Sequence, residues 1–510
     1  MDKNMLEEMV SVTKGLVAVN SINSNDGGEL LASQYIDGYF KKLPYFQEHP
    51  EYSFTQELRA DALHRRNVFA FVKAGKKETK NVIIIHGHMD TVGADDYGNL
   101  KDYAFSCDKL KEKFLEIKDK LPKDFRNDLE SGSWMVGRGV GDMKSGVALF
   151  MVLTKYFSER TQELGVNILF MSNPVEENLH TGIINALDVL SDMKDKGYRF
   201  LYAINSDCVT PLYPGDTTRY IYTGAIGKIL PCFYVNGAGE PVADVASKIV
   251  TSVNLNPEFC DGAGGEITTP PAVLKLRCRD DEAFLYFNYM IMYKDTKAIL
   301  GLLKDAAEGA GEGYEVYEFM QIYEMAKEKC TSDFEKYVDD LTADIIKEYP
   351  DKRDSAYELT KRLFKLTGID KKAIVIFLAA PYCPHNTLNL EDTYEAALQT
   401  QIEKVLDTMA ERTGETFKIL KFFACLTDSS YLKIDDDSDA IASLKGNFPA
   451  MDMLFRVPLQ TEKELNIPAL NFGVFMKDPH QWMERLYVPY SFGVLPQVIM
   501  EMIKVSGEPD

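Results

Sequence analysis

Seven histidines occur in the chain, and two of them fall in His86-Gly87-His88-Met89-Asp90, directly after the apolar run Val82-Ile83-Ile84-Ile85. His88 and Asp90 are spaced i, i+2, which puts both side chains on one face of an extended segment. The carboxylate can then hold one ring nitrogen while the other faces a metal ion. Four more clusters have the same logic. Asp142 lies in Gly137-Arg138-Gly139-Val140-Gly141-Asp142-Met143-Lys144-Ser145-Gly146, Glu176 and Glu177 follow the apolar run 166–171, Asp207 ends the run 203–207, and His480 follows the run 469–475. Adjacent carboxylates at a strand end point in different directions, so one can ligate while its neighbour works on a water. Taken together, His88, Asp142, Glu177, Asp207 and His480 supply two imidazoles and three carboxylates. That set suits zinc and exceeds what one four-coordinate ion with an open position needs, so two ions sharing a carboxylate is the economical solution. Taken singly, each cluster also has a plain structural reading, as a turn residue, a loop histidine or a charged helix start.

The elements that must position these residues read as an α/β domain. Residues 67–72 and 82–85 are continuous apolar runs typical of strands buried on both faces, expected to be neighbours in one sheet. Helices are expected over 145–157 and 181–190, strands over 166–171, 417–423 and 469–475, and further helices over 391–412 and 495–505. The opening 6–41 stretch reads as two helices broken near Asn25-Asp26-Gly27-Gly28. Between residues 222 and 387 the texture changes. Strands at 226–235, 272–276, 285–293 and 314–319 alternate with helices at 242–254 and 295–309 in a β-α-β-β-α-β order, which suggests a ferredoxin-like unit. A charged helical insertion at 322–370 and a buried strand at 373–378 follow. A first domain (1–221 and 388–510) interrupted by a second (222–387) accounts for the return of α/β texture.

Composition narrows the function classes. The 510 residues are 45% hydrophobic and 26% charged, ordinary globular values, and the formal net charge of −21 is the wrong sign for tracking nucleic acid or an anionic membrane. The eight cysteines form no C-x-x-C pair, and the N-terminus lacks the cationic and apolar regions of a leader, so a cytoplasmic protein with reduced thiols is expected. The glycines around Asp142 fail G-x-G-x-x-G, and Gly224-Ala225-Ile226-Gly227-Lys228 fails the phosphate-loop spacing.

In the order His-x-Asp, Gly-Asp before Lys-x-Gly, Glu-Glu, Asp, and His-x-x-x-Glu, the chain resembles the co-catalytic zinc metallopeptidases that include aminoacylase, carboxypeptidase G, succinyl-diaminopimelate desuccinylase and peptidase T. Within them it is similar to the RocB-like branch of arginine-utilisation proteins through Pro381-Tyr382-Cys383-Pro384-His385, Thr427-Asp428-Ser429-Ser430-Tyr431 and His480-Gln481-Trp482. The resemblance implies a zinc-peptidase-like catalytic domain, with a mixed sheet flanked by helices, interrupted by a ferredoxin-like α+β lid and dimerisation domain. It implies that His88, Asp142 and Asp207 hold one zinc and Asp142, Glu177 and His480 the other, with cobalt or manganese as alternatives. Glu176 becomes the general base, Asp90 orients His88, Glu484 supports the ligands from behind, and the Asp142-Met143 peptide is cis. The substrate becomes a short peptide or N-acyl amino acid, with arginine catabolism as the context and a homodimer as the assembly. Asp207, where some relatives carry Glu, leans toward aminopeptidase- or dipeptidase-like members over carboxypeptidases. One departure stands out: the lid histidine of the family, an oxyanion donor, has no counterpart in Asn236-Gly237-Ala238-Gly239-Glu240-Pro241. His385 reads as a packed loop residue rather than its replacement, and Arg277 and Arg279 as surface ion-pairing residues. That departure keeps open the alternative of a zinc-containing binding protein with little turnover.

Overall fold

The computed structural model describes residues 3–23, 27–263, 265–330 and 333–507. Of the break expected near Asn25-Asp26-Gly27-Gly28, Asn25 and Asp26 lie outside them, while Gly27, at φ +80°, directly precedes the second helix. Its flanks are helices, Lys3–Ala18 and Gly28–Phe40.

An eight-stranded mixed sheet runs in the order Ser53–Glu57, Arg66–Val72, Asn167–Asn173, Asn81–His88, Arg199–Asn205, Ala469–Asn471, Arg219–Tyr222, Phe417–Leu420. Two expected neighbours are therefore not adjacent. Asn167–Asn173 separates Arg66–Val72 from Asn81–His88, pairing antiparallel with the first and parallel with the second. Apolar texture identified both strands as members of one buried sheet, but texture carries no pairing information; the two are joined by residues 73–80 without a helix, and Asn167–Asn173 enters between them from later in the chain. Asn81–His88 is buried on both faces. Ile83 and Ile85 share a core cluster with apolar residues of helices Lys3–Ala18, Lys144–Ser158 and Leu495–Ser506, while Val82 and Ile84 join Ile183 and Leu187 of helix Thr181–Asp195 in a second cluster. The four central strands, Asn167–Asn173, Asn81–His88, Arg199–Asn205 and Ala469–Asn471, are mutually parallel, so their C-terminal ends lie along one edge. In such sheets that edge is where ligands bind.

The second sheet is ordered Ala272–Arg279, Glu282–Ile291, Pro231–Asn236, Ala373–Leu378, Glu315–Glu318. Its first four strands are antiparallel neighbours, backed by helices Ala243–Val253 and Thr296–Ala310. The strand expected over 226–235 is interrupted: Gly227–Ile229 and Pro231–Asn236 both pair with Glu282–Ile291, and Pro231, which has no N–H to donate, starts the second piece. The fourth ferredoxin-like strand is also reassigned. Ala373–Leu378 occupies the place beside Pro231–Asn236, and Glu315–Glu318 lies outside it as a parallel edge strand. Sequence order favoured 314–319, but the fully apolar Ala373–Leu378 suits the buried position, and the helices Phe319–Lys329, Phe334–Glu348 and Lys352–Thr367 form the excursion between the two. No helix among the described residues is long and apolar enough to cross a membrane.

Candidate metal centre

Each parallel strand delivers one donor to the common edge. His88 ends its strand, Glu176 and Glu177 follow Asn173, Asp207 follows Asn205, and His480 comes nine residues after Asn471 on a loop bracketed by the short pair Met476–Lys477 and Arg485–Tyr487. Asp142 arrives from the turn before helix Lys144–Ser158. There Gly139 adopts φ +74°, and a Cβ on it would lie 2.3 Å from Thr91, so the turn closes only with glycine. Gly146 lets the helix approach the Asp207 segment, since a Cβ there would meet the Ser206 carbonyl oxygen at 2.5 Å. The Asp142-Met143 peptide is cis.

Asp142 stands at the centre. Its Oδ1 is 3.1 Å from His88 Nε2 and its Oδ2 is 3.1 Å from His480 Nε2, which also lies 3.0 Å from Glu177 Oε1. Donor atoms of His88, Asp142 and Asp207 lie within 4.8 Å of one another, as do those of Asp142, Glu177 and His480. The five residues singled out from sequence as ligands therefore converge, in the two predicted triplets and with Asp142 common to both. Glu176, the expected base, has Oε2 3.9 Å from His88 Nε2.

The supports are equally specific. Asp90 is fully buried, 3.5 Å from His88 Nδ1, which also contacts the Asp90 carbonyl oxygen at 3.1 Å. Its carboxylate accepts the backbone N–H of Glu176 at 3.2 Å and of Glu177 at 3.1 Å, and Asn23 Nδ2 at 2.9 Å. One buried group thus ties the first strand's histidine to the paired glutamates. Glu484 accepts from Gly141 and Asp142 backbone N–H groups at 3.1 and 3.4 Å while Arg138 donates to its other oxygen at 2.8 Å. Asn471 brackets the backbone of Asp207, accepting its N–H at 2.9 Å and donating to its carbonyl at 3.2 Å.

Electrostatics state what the cluster lacks. Burial, then the Asp142 charge, pushes the Asp207 carboxyl up to about 7, and the same two causes raise Glu177. Burial holds Glu176 well above the usual carboxylate range. Burial would depress the His88 imidazolium, yet Glu176, Asp142 and Asp90 hold it well above its ordinary value. Hydrogen bonds to Asp142 and Glu177 hold His480 up at about 11. Carboxylates crowded at this spacing without enough positive charge are a site built for cations, and the oxygen and imidazole donors fit a divalent pair.

Several neighbours were not anticipated as site residues. His180 lies 3.8 Å from Glu176 and 3.1 Å from Asp428. Asn23, Arg138 and Asn471 are ordinary polar residues in sequence, whereas Asp428 belongs to the Thr427–Tyr431 motif already noted. His385 is buried with Nε2 3.8 Å from Asp436, a packed loop residue as expected. Arg277 stands 3.5 Å from Asp354 and over the Tyr357 ring, in keeping with ion pairing.

A sequence model of peptidase family M28 matches residues 67–225, a span that holds four of the five donors. RocB of Bacillus subtilis (strain 168) is 35% identical over 542 residues, covering 98% of this chain and 94% of RocB. The chain belongs to the RocB family. Among solved structures, the aminopeptidase PepT of Bacillus cereus aligns over 99% of both chains with a TM-score of 0.54 at 14% identity. The Bacillus subtilis YXEP protein, a dinuclear metal binding peptidase from the M20 family, aligns over 99% of both with a TM-score of 0.52 at 11% identity. This RocB-family chain thus has the fold of those peptidases, with an eight-stranded mixed α/β sheet flanked by helices and a second, smaller sheet. It is an enzyme of the metallopeptidase and amidohydrolase type, with clustered imidazoles and carboxylates that could hold a divalent metal.

Proposed function

We propose that this RocB-family enzyme is a two-zinc hydrolase that cleaves the amide bond of a short peptide or an N-acyl amino acid. His88, Asp142 and Asp207 would hold one ion, and Asp142, Glu177 and His480 the other. The observation that carries the reading is the bridging posture of Asp142, each of whose oxygens faces a different histidine at 3.1 Å. PepT's description as an aminopeptidase and YXEP's as a dinuclear metal binding peptidase accord with it.

Bound zinc would supply Lewis-acid polarisation of the scissile carbonyl and bring the pKa of a water to about 7. The residues do the rest. Asp90 fixes the His88 ring and, through two backbone amides, the paired glutamates. Glu176, buried and grouped within 4.8 Å of donor atoms of His88 and Glu177, takes the proton of the attacking water and returns it to the leaving amine. Glu484 fixes the backbone of Asp142.

The catalytic unit is proposed to comprise residues 1–221 and 388–510, with 222–387 as the inserted unit. This division is supported by the strands of the first sheet coming from 53–222 and 417–471 and those of the second from 227–378. A homodimer through the inserted unit is supported by its edge strand Ala272–Arg279, which exposes Leu274 and Leu276. Buried thiols outside any disulfide at Cys107, Cys208, Cys232 and Cys383 accord with a cytoplasmic setting. A role in arginine catabolism rests on family membership alone.

The deciding experiment is Glu176→Gln assayed against dipeptides and N-acyl amino acids, arginine derivatives included. Turnover should fall by about 10²–10⁴-fold with metal content unchanged. Wild-type turnover in the variant would remove Glu176 from the reaction.

A further inference from the structure

His180 belongs to no predicted metal triplet, yet it is almost completely buried beside the proposed base. It lies four residues after Glu176, and its backbone N–H donates to the Val175 carbonyl at 2.8 Å, closing the loop that carries Glu176 and Glu177. Its φ of +53° places it just before helix Thr181–Asp195. Nδ1 is 3.1 Å from Asp428 Oδ1 and 3.8 Å from Glu176 Oε1, and the ring packs on Tyr431 with centroids 5.3 Å apart. The other Glu176 oxygen is 3.9 Å from His88 Nε2. The base is thus flanked by two imidazoles, one offered to the metal site and one held by a buried carboxylate.

The turn that carries Asp428 is pinned to the strands that carry the donors. Thr427 Oγ1 accepts Asn205 Nδ2 at 2.7 Å, two residues before Asp207. Ser429 Oγ lies 3.2 Å from His86 Nε2, two residues before His88. Asn386 Nδ2, next to the connection from the inserted sheet, donates to the carbonyls of Ser429 and Ser430 at 3.2 and 3.1 Å. Asp428 therefore cannot shift independently of the donor strands, and neither can the ring it holds.

We propose that His180, anchored by Asp428, is a positioning residue that fixes the Glu176 carboxylate in the orientation from which it works on the attacking water. The proposal rests on the reading of Glu176 as general base. A base must reach its proton at hydrogen-bond distance, and a misplacement of about 1 Å can cost about 10²-fold in rate. The fixed imidazole, with Nδ1 3.8 Å from Glu176 Oε1, would limit how far that carboxylate can swing toward it.

The test compares His180→Ala, His180→Asn and Asp428→Asn in zinc-loaded full-length protein, reading kcat, KM, metal content and the Glu176 conformation by crystallography. Asparagine puts an N–H donor near the ring Nδ1 position and tolerates positive φ. His180→Ala is expected to keep its metal, lose about 10–100-fold in kcat with KM within about twofold, and show Glu176 in more than one rotamer. His180→Asn should recover to within about threefold of wild type, and Asp428→Asn should fall between the two. A metal-loaded His180→Ala with Glu176 unmoved, or with wild-type kcat, overturns the proposal; so does His180→Asn as impaired as the alanine variant. Should His180→Ala not fold, wild-type kcat and an unmoved Glu176 in Asp428→Asn overturn it instead. Glu176→Gln run in parallel separates the two levels. If it turns over normally, the reading of the base fails; if it is inactive while His180→Ala is normal, only the role of His180 fails.

Discussion

Asp90 is the residue whose loss should reach furthest, because one buried carboxylate serves both halves of the proposed site. In Asp90→Asn the side chain keeps its volume and one oxygen, but its amide nitrogen must face a backbone N–H that now points at a carboxylate oxygen. At least one charge-assisted hydrogen bond is lost, at about 1.5–3 kcal/mol, and one buried N–H of Glu176 or Glu177 is left unpaired, at about 1–3 kcal/mol. Because the two costs overlap, a destabilisation of about 2–4 kcal/mol is expected. The His88 ring also loses its charged neighbour at 3.5 Å, which should weaken metal binding by about 10–100-fold, or about 1.4–2.7 kcal/mol. Urea unfolding of the stripped protein reads the first quantity, and competition with a chromophoric chelator for zinc reads the second. A variant that unfolds at the wild-type urea concentration and binds zinc with wild-type affinity would refute the assignment of Asp90 as the tie between His88 and the glutamates.

Three further outcomes follow from the same geometry. Gly146→Ala should push helix Lys144–Ser158 away from Ser206, whose carbonyl would otherwise sit 2.5 Å from the new Cβ; circular dichroism melting and zinc titration should both show loss, and a variant matching wild type in both would contradict the close approach. Asp142→Asn should abolish binding of both zinc ions rather than one, read by metal analysis after dialysis; retention of a single tightly held ion would argue against a shared ligand. Glu462 is fully buried, with neither carboxylate oxygen hydrogen-bonded among the described residues, and burial holds its pKa well above 4.5. The folded state then binds more protons than the unfolded, so the stability present below about pH 4.5 is lost as pH rises through the folded-state value. Glu462→Met should therefore gain about 1–3 kcal/mol at pH 8 and little at pH 4, and equal gains at both would refute it.

How much was legible in the sequence depended on whether a residue acts through local spacing or through contacts made by folding. His88, Glu177, Asp207 and His480 stood out because each closes or follows a short apolar run, and parallel strands bring such ends to one edge, while Asp142 stood out in a glycine-rich stretch just before a helix. The pairing of Asn167–Asn173 between two expected neighbours was not legible, since all three strands are uniformly apolar and nothing local distinguishes a middle strand from a flanking one. The exchange of Glu315–Glu318 for Ala373–Leu378 has a similar origin: a helical excursion of about fifty residues separates them, and chain order favoured the nearer candidate. His180 and Asp428 are 248 residues apart, and only folding makes them a pair. The Thr427–Tyr431 motif was visible as a pattern, but its partners, His86, Asn205 and His180, were not.

The most direct test of the central claim is hydrolysis measured across the dipeptide and N-acyl amino acid panel while zinc is titrated into stripped protein. The account predicts no hydrolysis without metal and a rise that levels off at about two equivalents per chain. Hydrolysis that persists in fully stripped protein, or silence across the panel with two equivalents bound, would contradict it.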